Sequence, residues 1–312
     1  MLGLIKCLKL LSSGCVSLVK LAEDMGFNWL QMLELIAKTN DLEPGLVKTG
    51  QNCSFCLTRP IDWLDPIEVL NELRPHGLDN YAIKLLPEVD STNTYAFCNL
   101  NNLSNRTIVV AELQSGGRGR GDKRWISKIA TDLTVSFLYF FPLHFSCELL
   151  PLIAAVAVNR LLKQYRISNY IKWPNDIYLA NGGGDGFVPF NGKIAGILLQ
   201  SGIHCEQRFV IIGIGINNSF SWCRNKLLAS LVAHMEHVVQ EYSVFGFAML
   251  RQEWLDNCLH YNKTVKLYHE QKLITSGLNT DLTLEGKLVV KNKNGEYEYI
   301  SGSLSLLIDD MG

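Results

Sequence analysis

Apolar residues near the start of the chain recur at helical spacing in three stretches, which short polar breaks separate. The stretches cover residues 2–11, 17–25 and 28–39. Asn28 is placed to cap the third of these helices. The apolar face of that helix is expected to contain Leu30, Leu33, Ile36 and Ala37. Two helices joined by a glycine-containing turn, here at Gly26, have the outline of a helix-turn-helix.

Strand-like residues follow the helices and complete a small N-terminal unit. Residues 46–57 would form two strands around a turn at residues 50–52, in the place of the wing of a winged helix-turn-helix. Pro60 and Pro66 then mark a linker. We therefore predict a winged helix-turn-helix-like domain over residues 1–64.

The pattern becomes mixed after the linker and predicts an α+β sheet domain over residues 65–262. A buried helix is expected at residues 149–165, and central strands buried on both faces at residues 194–199 and 209–216. The other predicted strands are residues 82–86, 107–113 and 131–140.

Two regions of this chain are rich in turn residues. The glycines within residues 180–186 predict a long, mobile hairpin turn between two strands. Short strands separated by Asn and Gly follow from Thr264 onward, which predicts a small all-β barrel over residues 263–312.

Composition narrows the class of protein. With a formal net charge of −1, the chain has no overall attraction to nucleic acid or anionic membrane. Nine irregularly spaced cysteines favour a reduced, cytoplasmic setting with mostly buried thiols, and the lone C-x-x-C of Cys53 and Cys56 lacks a second pair at zinc spacing. No apolar run approaches the roughly 20 residues of a membrane span. We therefore expect a cytoplasmic protein without a membrane partner.

The most unusual segment of the chain is residues 114–125, which runs from Gln114 through Arg118, Gly119 and Arg120 to Trp125. It combines four glycines, four cations and one acid, so its local charge is +3 in an otherwise neutral protein. Glycines leave backbone N–H groups free to approach a ligand closely. Cations followed by one aromatic residue favour a phosphate-bearing ligand with a ring to stack.

Two shorter segments add polar groups of the same kind. Residues 172–176 follow a strand and present the amide of Asn175 beside the carboxylate of Asp176, and one carboxylate near phosphates is typical of a Mg²⁺ site. Lys193 and Gly196 lie at the start of a buried strand, where a glycine lets a ligand come close. Because no Walker A sequence is present, the phosphate chemistry is not that of a P-loop enzyme.

Taken together and in this order, these segments closely resemble the biotin protein ligases. The segments that carry the resemblance are residues 90–93, 117–125, 172–176, 192–196 and 213–217. The resemblance implies a mixed-sheet catalytic domain like that of the class II synthetases, with a C-terminal SH3-like β-barrel. It also implies an ATP- and Mg²⁺-dependent ligase that converts biotin to biotinyl-5′-AMP. The biotin would then pass to one lysine of the biotin carboxyl carrier protein of acetyl-CoA carboxylase.

The resemblance also implies roles for individual residues. Ser91, Thr92 and Asn93 would bind the ureido end of biotin, and Gln114, Arg118, Gly119 and Arg120 its carboxylate side, with Gly196 close by. Trp125 would stack on the adenine, and Asn175 and Asn217 would line the nucleotide side. Lys193, Arg118, Arg120 and Asp176 would be the catalytic residues. Lys193 would also hold the carboxylate and phosphoryl oxygens of biotin and the adenylate, and Asp176 would also bind the metal.

Alternatives remain open at this point. A bifunctional member of the family would also repress transcription, but the predicted reading helix and wing offer mainly Lys38 and Lys48, whereas phosphate contacts need several cations. Repressor function is therefore doubtful, and a biotin-sensing repressor is the alternative function. A lipoyl or octanoyl transferase shares the fold but has no evident need for the Gly/Arg segment. Family members often form dimers through the catalytic sheet, so the resemblance leaves a homodimer open for this chain as well.

Overall fold

A computed structural model describes residues 3–121, 123–180, 192–220, 222–269, 272–292, 294–299 and 304–308 of the chain. The N-terminal part contains three helices and a three-stranded antiparallel sheet of order β1-β3-β2. Its elements are α1 (Leu4–Leu11), β1 (Val16–Ser17), α2 (Leu18–Met25), α3 (Trp29–Leu42), β2 (Val47–Thr49) and β3 (Ser54–Leu57). Asn28 caps α3 as expected: its side chain accepts from the Gln31 backbone, and the Gln31 side chain accepts from the Asn28 backbone.

Of the four residues predicted for the apolar face of α3, only Ile36 is buried. Met32, Ile36 and Thr39 are the residues of α3 that are buried in the N-terminal core. Leu30 and Leu33 are exposed, as is Ala37. Apolar residues occur on two stripes of this helix, and hydrophobicity alone does not determine which stripe packs inward.

The expectation of reduced and mostly buried cysteines is also wrong. Cys15 and Cys56 form a disulfide, so Cys56 is bonded to Cys15 rather than acting with Cys53. Four of the remaining thiols are exposed, namely Cys53, Cys98, Cys205 and Cys223.

The N-terminal unit shares its core with the larger domain. Its buried cluster includes Leu113, Ile129 and Ala130 from that domain. The Glu43 carboxylate accepts from the Ile129 backbone N–H at 3.0 Å and pairs with Arg59 at 2.6 Å. The two parts of the chain are therefore packed against each other rather than joined only by a linker.

Pro66 begins a helix instead of marking a linker. Asp65 caps α4 (Pro66–Leu73), and Pro66 occupies its first turn, where the missing N–H costs nothing. A short 3₁₀ turn (Arg74–His76) follows before the first strand of the large sheet.

The large sheet has seven strands in the order β4-β5-β6-β10-β9-β8-β7. β4 and β5 are parallel, and all other neighbours are antiparallel, so the sheet is mixed as predicted. The strands are β4 (Ala82–Val89), β5 (Thr107–Gln114), β6 (Leu133–Phe141), β7 (Asn169–Lys172), β8 (Asp176–Leu179), β9 (Lys193–His204) and β10 (Gln207–Ile216). Cys205 and Glu206, both with positive φ, form the two-residue turn between β9 and β10.

Helices cover the sheet and form its main core. These helices are α5 (Thr92–Cys98), α6 (Leu150–Gln164), α7 (Arg224–Phe245) and α8 (Ala248–Asp256), with a 3₁₀ turn at Leu100–Asn102. α6 is almost entirely buried, as its small and apolar residues predict, and packs with α7 against the sheet. The predicted hairpin turn at residues 180–186 falls largely on residues 181–186, outside the described residues.

The C-terminal part is a five-stranded antiparallel sheet of order β14-β13-β12-β11-β15. Its strands are β11 (Thr264–His269), β12 (Lys272–Leu282), β13 (Leu288–Asn292), β14 (Gly295–Tyr299) and β15 (Leu304–Ile308). Val265, Leu267, Leu282, Leu288 and Val290 join the main core, so this sheet packs on the larger domain. No helix in the described part of the chain is long and apolar enough to cross a membrane.

Candidate active site

A cleft of about 1790 Å³ opens beside the start of β9 and the end of β10. The predicted residues that line it are Ser91, Thr92, Asn93, Gln114, Arg118, Gly119, Arg120, Trp125, Asn175, Asp176, Lys193 and Gly196. Asn217 was expected in the same pocket but does not line it. Its side-chain amide donates to the backbone oxygen of Lys193 at 3.1 Å, so Asn217 supports the start of β9.

One end of the cleft is a buried polar pocket at the start of α5. Ser91 is the N-cap of this helix, and its hydroxyl accepts from the Thr94 N–H. The Gln114 side-chain oxygen accepts from the Thr92 N–H at 2.9 Å. Because Ser91, Thr92 and Asn93 are all at least 95% buried, their polar atoms form a fixed array for a ligand with matching donors and acceptors.

Ser136 supports two of these side chains and was missed in the sequence. It is fully buried on β6, and its hydroxyl lies 2.6 Å from Asn93 Oδ1 and 2.8 Å from Thr92 Oγ1. A serine inside an apolar strand is the signal that could have indicated it, since a buried hydroxyl needs a partner.

The glycines of β9 and β10 form a flat floor beside that pocket. Gly196 and Gly215 are opposite each other in the strand register, and the Trp125 indole lies on both. A side chain at Gly213 would collide with the Asn93 amide. Glycine is therefore required at these positions by the close approach of other side chains.

The Gly/Arg segment folds back on itself next to this floor. The Gly119 N–H donates to Lys123 at 2.7 Å and the Trp125 N–H to Gly117 at 3.0 Å. Arg118 and Arg124 form an isolated antiparallel bridge. The Trp125 Nε1 is buried with no hydrogen-bond partner among the described residues. This donor is thus open to a ligand or to a rearrangement of the loop.

A tight turn between β7 and β8 carries the amide and carboxylate predicted from residues 172–176. Asn175 donates to the Ile197 backbone oxygen at 2.6 Å and accepts from Arg120 at 3.3 Å. The Asp176 carboxylate pairs with Lys193 Nζ at 2.7 Å. Three distant segments therefore meet at one point, with Arg120, Lys193 and Asp176 in reach of the same ligand.

Burial changes the electrostatics of the cations. It lowers the pKa of Arg120, against the opposing effect of Asp176. Burial also lowers the pKa of Lys172 against the opposing charge of Asp176, and the charges of Lys123 and Lys193 act in the same direction as burial. Crowded, partly desolvated cations strongly favour an anionic ligand.

The carboxylates of the cleft decide whether it can hold a metal ion. In the part of the chain that the structure describes, no three His, Cys, Asp or Glu side chains are grouped as a metal site. Asp176 is a carboxylate among cations, and Mg²⁺ commonly takes one or two carboxylates together with substrate phosphates. The residues therefore fit a Mg²⁺ ion held jointly by Asp176 and a nucleotide, and do not fit one held by the protein alone.

Residues 85–217 match the model of the biotin/lipoate A/B protein ligase family. The match extends from within β4 to just beyond the end of β10 and includes the strands that build the cleft. The chain thus carries, over these residues, a domain of the biotin/lipoate A/B protein ligase type.

Within the family, the similarity is to the biotin protein ligases. The chain is 26% identical over 268 residues to the bifunctional ligase/repressor of Escherichia coli (strain K12), covering 78% of this chain and 79% of that protein. It is 33% identical over 139 residues to the biotin–[acetyl-CoA-carboxylase] ligase of Paracoccus denitrificans, covering 43% of this chain and 53% of that protein. The biotin protein ligase of Aquifex aeolicus, solved in complex with biotin and ATP, superposes with a TM-score of 0.62 at 26% identity. That alignment covers 73% of this chain and 99% of that one.

Proposed function

We propose that this protein uses ATP to convert biotin to biotinyl-5′-AMP and then transfers biotin to a lysine of the carboxyl carrier protein of acetyl-CoA carboxylase. The observation that carries this proposal is the composition of the cleft. A buried polar pocket for a neutral ring lies next to a cluster of cations for a carboxylate and a phosphate.

The buried pocket suits the ureido ring of biotin. A ureido group presents one carbonyl oxygen and two N–H donors, so it needs both donors and acceptors around it. Ser91, Thr92 and Asn93 supply hydroxyl and amide groups that can do either, and Ser136 holds two of them in place. Apolar residues such as Trp173 and Ile197 line the same cleft and suit the thioether ring.

The cations of the cleft offset the repulsion between the two anions that react in the first step. A biotin carboxylate oxygen attacks the α-phosphorus of ATP, an acyl–phosphate bond forms, and pyrophosphate leaves. Both reacting groups are anions, so Arg118, Arg120 and Lys193 would stabilise the charge that develops as they approach. Mg²⁺, when bound beside Asp176, would supply further neutralisation of the phosphates.

The second step needs an amine and the absence of water. The carrier lysine attacks the acyl carbon as a neutral amine. An amide forms, the nitrogen releases one proton to solvent, and AMP leaves with the electrons of the broken acyl–oxygen bond. Asp176 would orient that amine through a hydrogen bond, and the position of its carboxylate in the cleft beside Lys193 supports this role. Trp125 and Asn175 would hold the adenylate, while the folded Gly/Arg segment covers it and slows hydrolysis.

Biotin-dependent ATP–pyrophosphate exchange with Mg²⁺ tests the first step without any carrier. We expect exchange with biotin and none with lipoate or octanoate. Exchange with lipoate or octanoate alone would replace the proposal with an acyl-transfer function of the same family. Transfer of label to purified carrier domain, and its loss when the carrier lysine is replaced, tests the second step.

DNA binding is not part of the proposal. We infer that the N-terminal unit is winged helix-turn-helix-like and the C-terminal sheet SH3-like, because their strand orders and connections fit those folds. However, the exposed side of α3 presents Trp29, Leu30 and Leu33, with Lys38 next to acidic neighbours. Because DNA phosphates are held by Lys and Arg, we expect no salt-dependent binding to duplex DNA, measured with and without biotin and ATP.

A further inference from the structure

The edge of the large sheet is extended by a segment that leads into the C-terminal part. The Ile171 N–H donates to the Asn257 oxygen at 2.7 Å, and the Leu259 N–H donates to the Ile171 oxygen at 2.8 Å. Ile171 and Cys258 thereby form a parallel bridge. Residues 257–260 act as one more short strand beside β7, immediately before the turn that carries Asn175 and Asp176.

The His260 side chain continues the hydrogen bonding between this segment and the end of β7. Its Nε2 accepts from the Trp173 backbone N–H at 3.0 Å, at the point where β7 gives way to the turn. His260 is completely buried, and its Nδ1 lies 3.0 Å from the Asn279 side-chain amide on β12. Two donors face the ring, the Trp173 N–H at Nε2 and the Asn279 Nδ2 at Nδ1, and a neutral imidazole can accept from only one of them. A proton on Nδ1 keeps the contact with Trp173 and has Cys258 Sγ as an acceptor 3.4 Å away.

Burial keeps the imidazole neutral. It lowers the pKa of His260 to about 3, and the charges of Lys172 and Lys263 act in the same direction. The ring therefore stays a hydrogen-bond acceptor throughout the neutral pH range.

Trp173 is held at a second point by the same part of the chain. Its indole N–H donates to the Gly286 oxygen at 3.3 Å, in the turn between β12 and β13. Gly286 has a φ of +78°, and a Cβ there would lie 2.5 Å from Leu149 Cδ2, so the position of this turn is tightly constrained. Both N–H groups of Trp173 are thus bound by residues outside the large sheet.

We propose that His260 is a positioning residue, which fixes the Trp173 backbone and through it the placement of Asn175 and Asp176 in the cleft. This inference rests on the proposed function. Asn175 and Asp176 follow Trp173 by two and three residues and contact Arg120 and Lys193, respectively. A shift of the turn would therefore misplace the groups at the nucleotide while leaving the pocket at Ser91 to Asn93 unchanged.

Two amide substitutions provide a matched test. In His260→Gln, the side-chain oxygen reaches the position of Nε2 and can accept from Trp173. In His260→Asn, the amide reaches only the position of Nδ1, so it keeps the contact with Asn279 and leaves the Trp173 N–H without a partner. The two variants have the same chemistry and differ in reach.

We expect the reaction rate, and not biotin binding, to separate the variants. His260→Asn should lower kcat for biotin-dependent pyrophosphate exchange by about 10- to 100-fold, because misplacement of about 1 Å costs that much. Its Kd for biotin, from calorimetry, should stay within about 2-fold of wild type. His260→Gln should recover kcat to within about 3-fold. Equal kcat values for the two variants, or equal losses in kcat and biotin affinity, would overturn the proposal.

A measurement on the wild-type protein covers the case in which neither variant folds. With ¹⁵N-labelled histidine, the nitrogen chemical shifts identify the tautomer of His260, which is recognised as the imidazole that stays neutral to the lowest pH. We expect its proton on Nδ1, and a proton on Nε2 would overturn the proposal. Wild-type protein that shows no exchange with biotin would refute the proposed function instead, and the tautomer would still decide the His260 contact.

Discussion

Acid should destabilise this protein through His260, by an amount that follows from its burial. In the unfolded chain the pKa of the group has its ordinary value of 6.5, and in the folded protein burial lowers it to about 3. The unfolded state therefore binds more protons between these two values. Stability is lost as the pH falls from about 6.5 toward 3, and the contribution is complete above pH 6.5.

The loss of stability is largest near pH 3 but is already measurable at pH 5. At pH 5 the two pKa values give a loss of about 2 kcal/mol in the free energy of unfolding, relative to pH 7. A loss of that size lowers Tm by roughly 4–8 °C in a domain of 150–250 residues. Thermal unfolding of wild type and His260→Gln from pH 7 to pH 5 measures it.

The difference between the two proteins isolates the histidine. Burial also lowers the pKa of His234, which destabilises the protein in the same direction, but that effect is common to both and cancels. The substitution itself lowers Tm by a constant amount at every pH, since glutamine does not titrate. We expect the wild-type Tm to fall more steeply than that of the variant. Parallel curves would show that His260 is not a buried neutral base and would refute the reasoning.

Three further predictions concern the cleft. Lys193→Ala should abolish adenylate formation and leave Tm nearly unchanged, because a partly exposed ion pair contributes little stability. Lys84→Ala, on the exposed side of β4, should leave pyrophosphate exchange intact. Trp125→Ala should weaken ATP more than biotin, by about 1–3 kcal/mol in calorimetric titrations, and equal losses for both ligands would contradict a stacking role. Gly213→Ala should lower biotin affinity at least about 10-fold at constant ATP affinity, since its Cβ would displace the Asn93 amide; unchanged biotin affinity would exclude Asn93 from the biotin pocket.

Local patterns were sufficient to predict much of the fold. The buried helix at residues 149–165 and the central strands at 194–199 and 209–216 were predicted from continuous apolar runs, and the structure has α6, β9 and β10 there. These predictions succeeded because a continuous apolar run must be buried whichever of its faces packs inward, so no choice between faces is needed. α3 has two apolar stripes, and the choice between them depends on neighbours that no local pattern specifies.

In the candidate site, too, some residues can be predicted from the sequence and others cannot. The Gly/Arg segment and Lys193 stand out because cations and glycines are conspicuous in a neutral, apolar chain. His260 has no such signal, because its partner is a backbone N–H 87 residues away. A contact between side chain and backbone depends on the course of the chain rather than on the identity of the partner residue, so only the folded structure shows it.

The shared core of the N-terminal unit has a consequence for the Gly/Arg segment. This segment leaves the sheet at the end of β5 and returns at Ile129 and Ala130, which are buried in the N-terminal core, with Glu43 holding the Ile129 N–H. Both ends of the segment are thus anchored, and the entropy that it would lose on folding over a ligand is limited by the short span between the anchors. The N-terminal unit therefore serves the cleft as a mechanical anchor, whatever else its own surface binds.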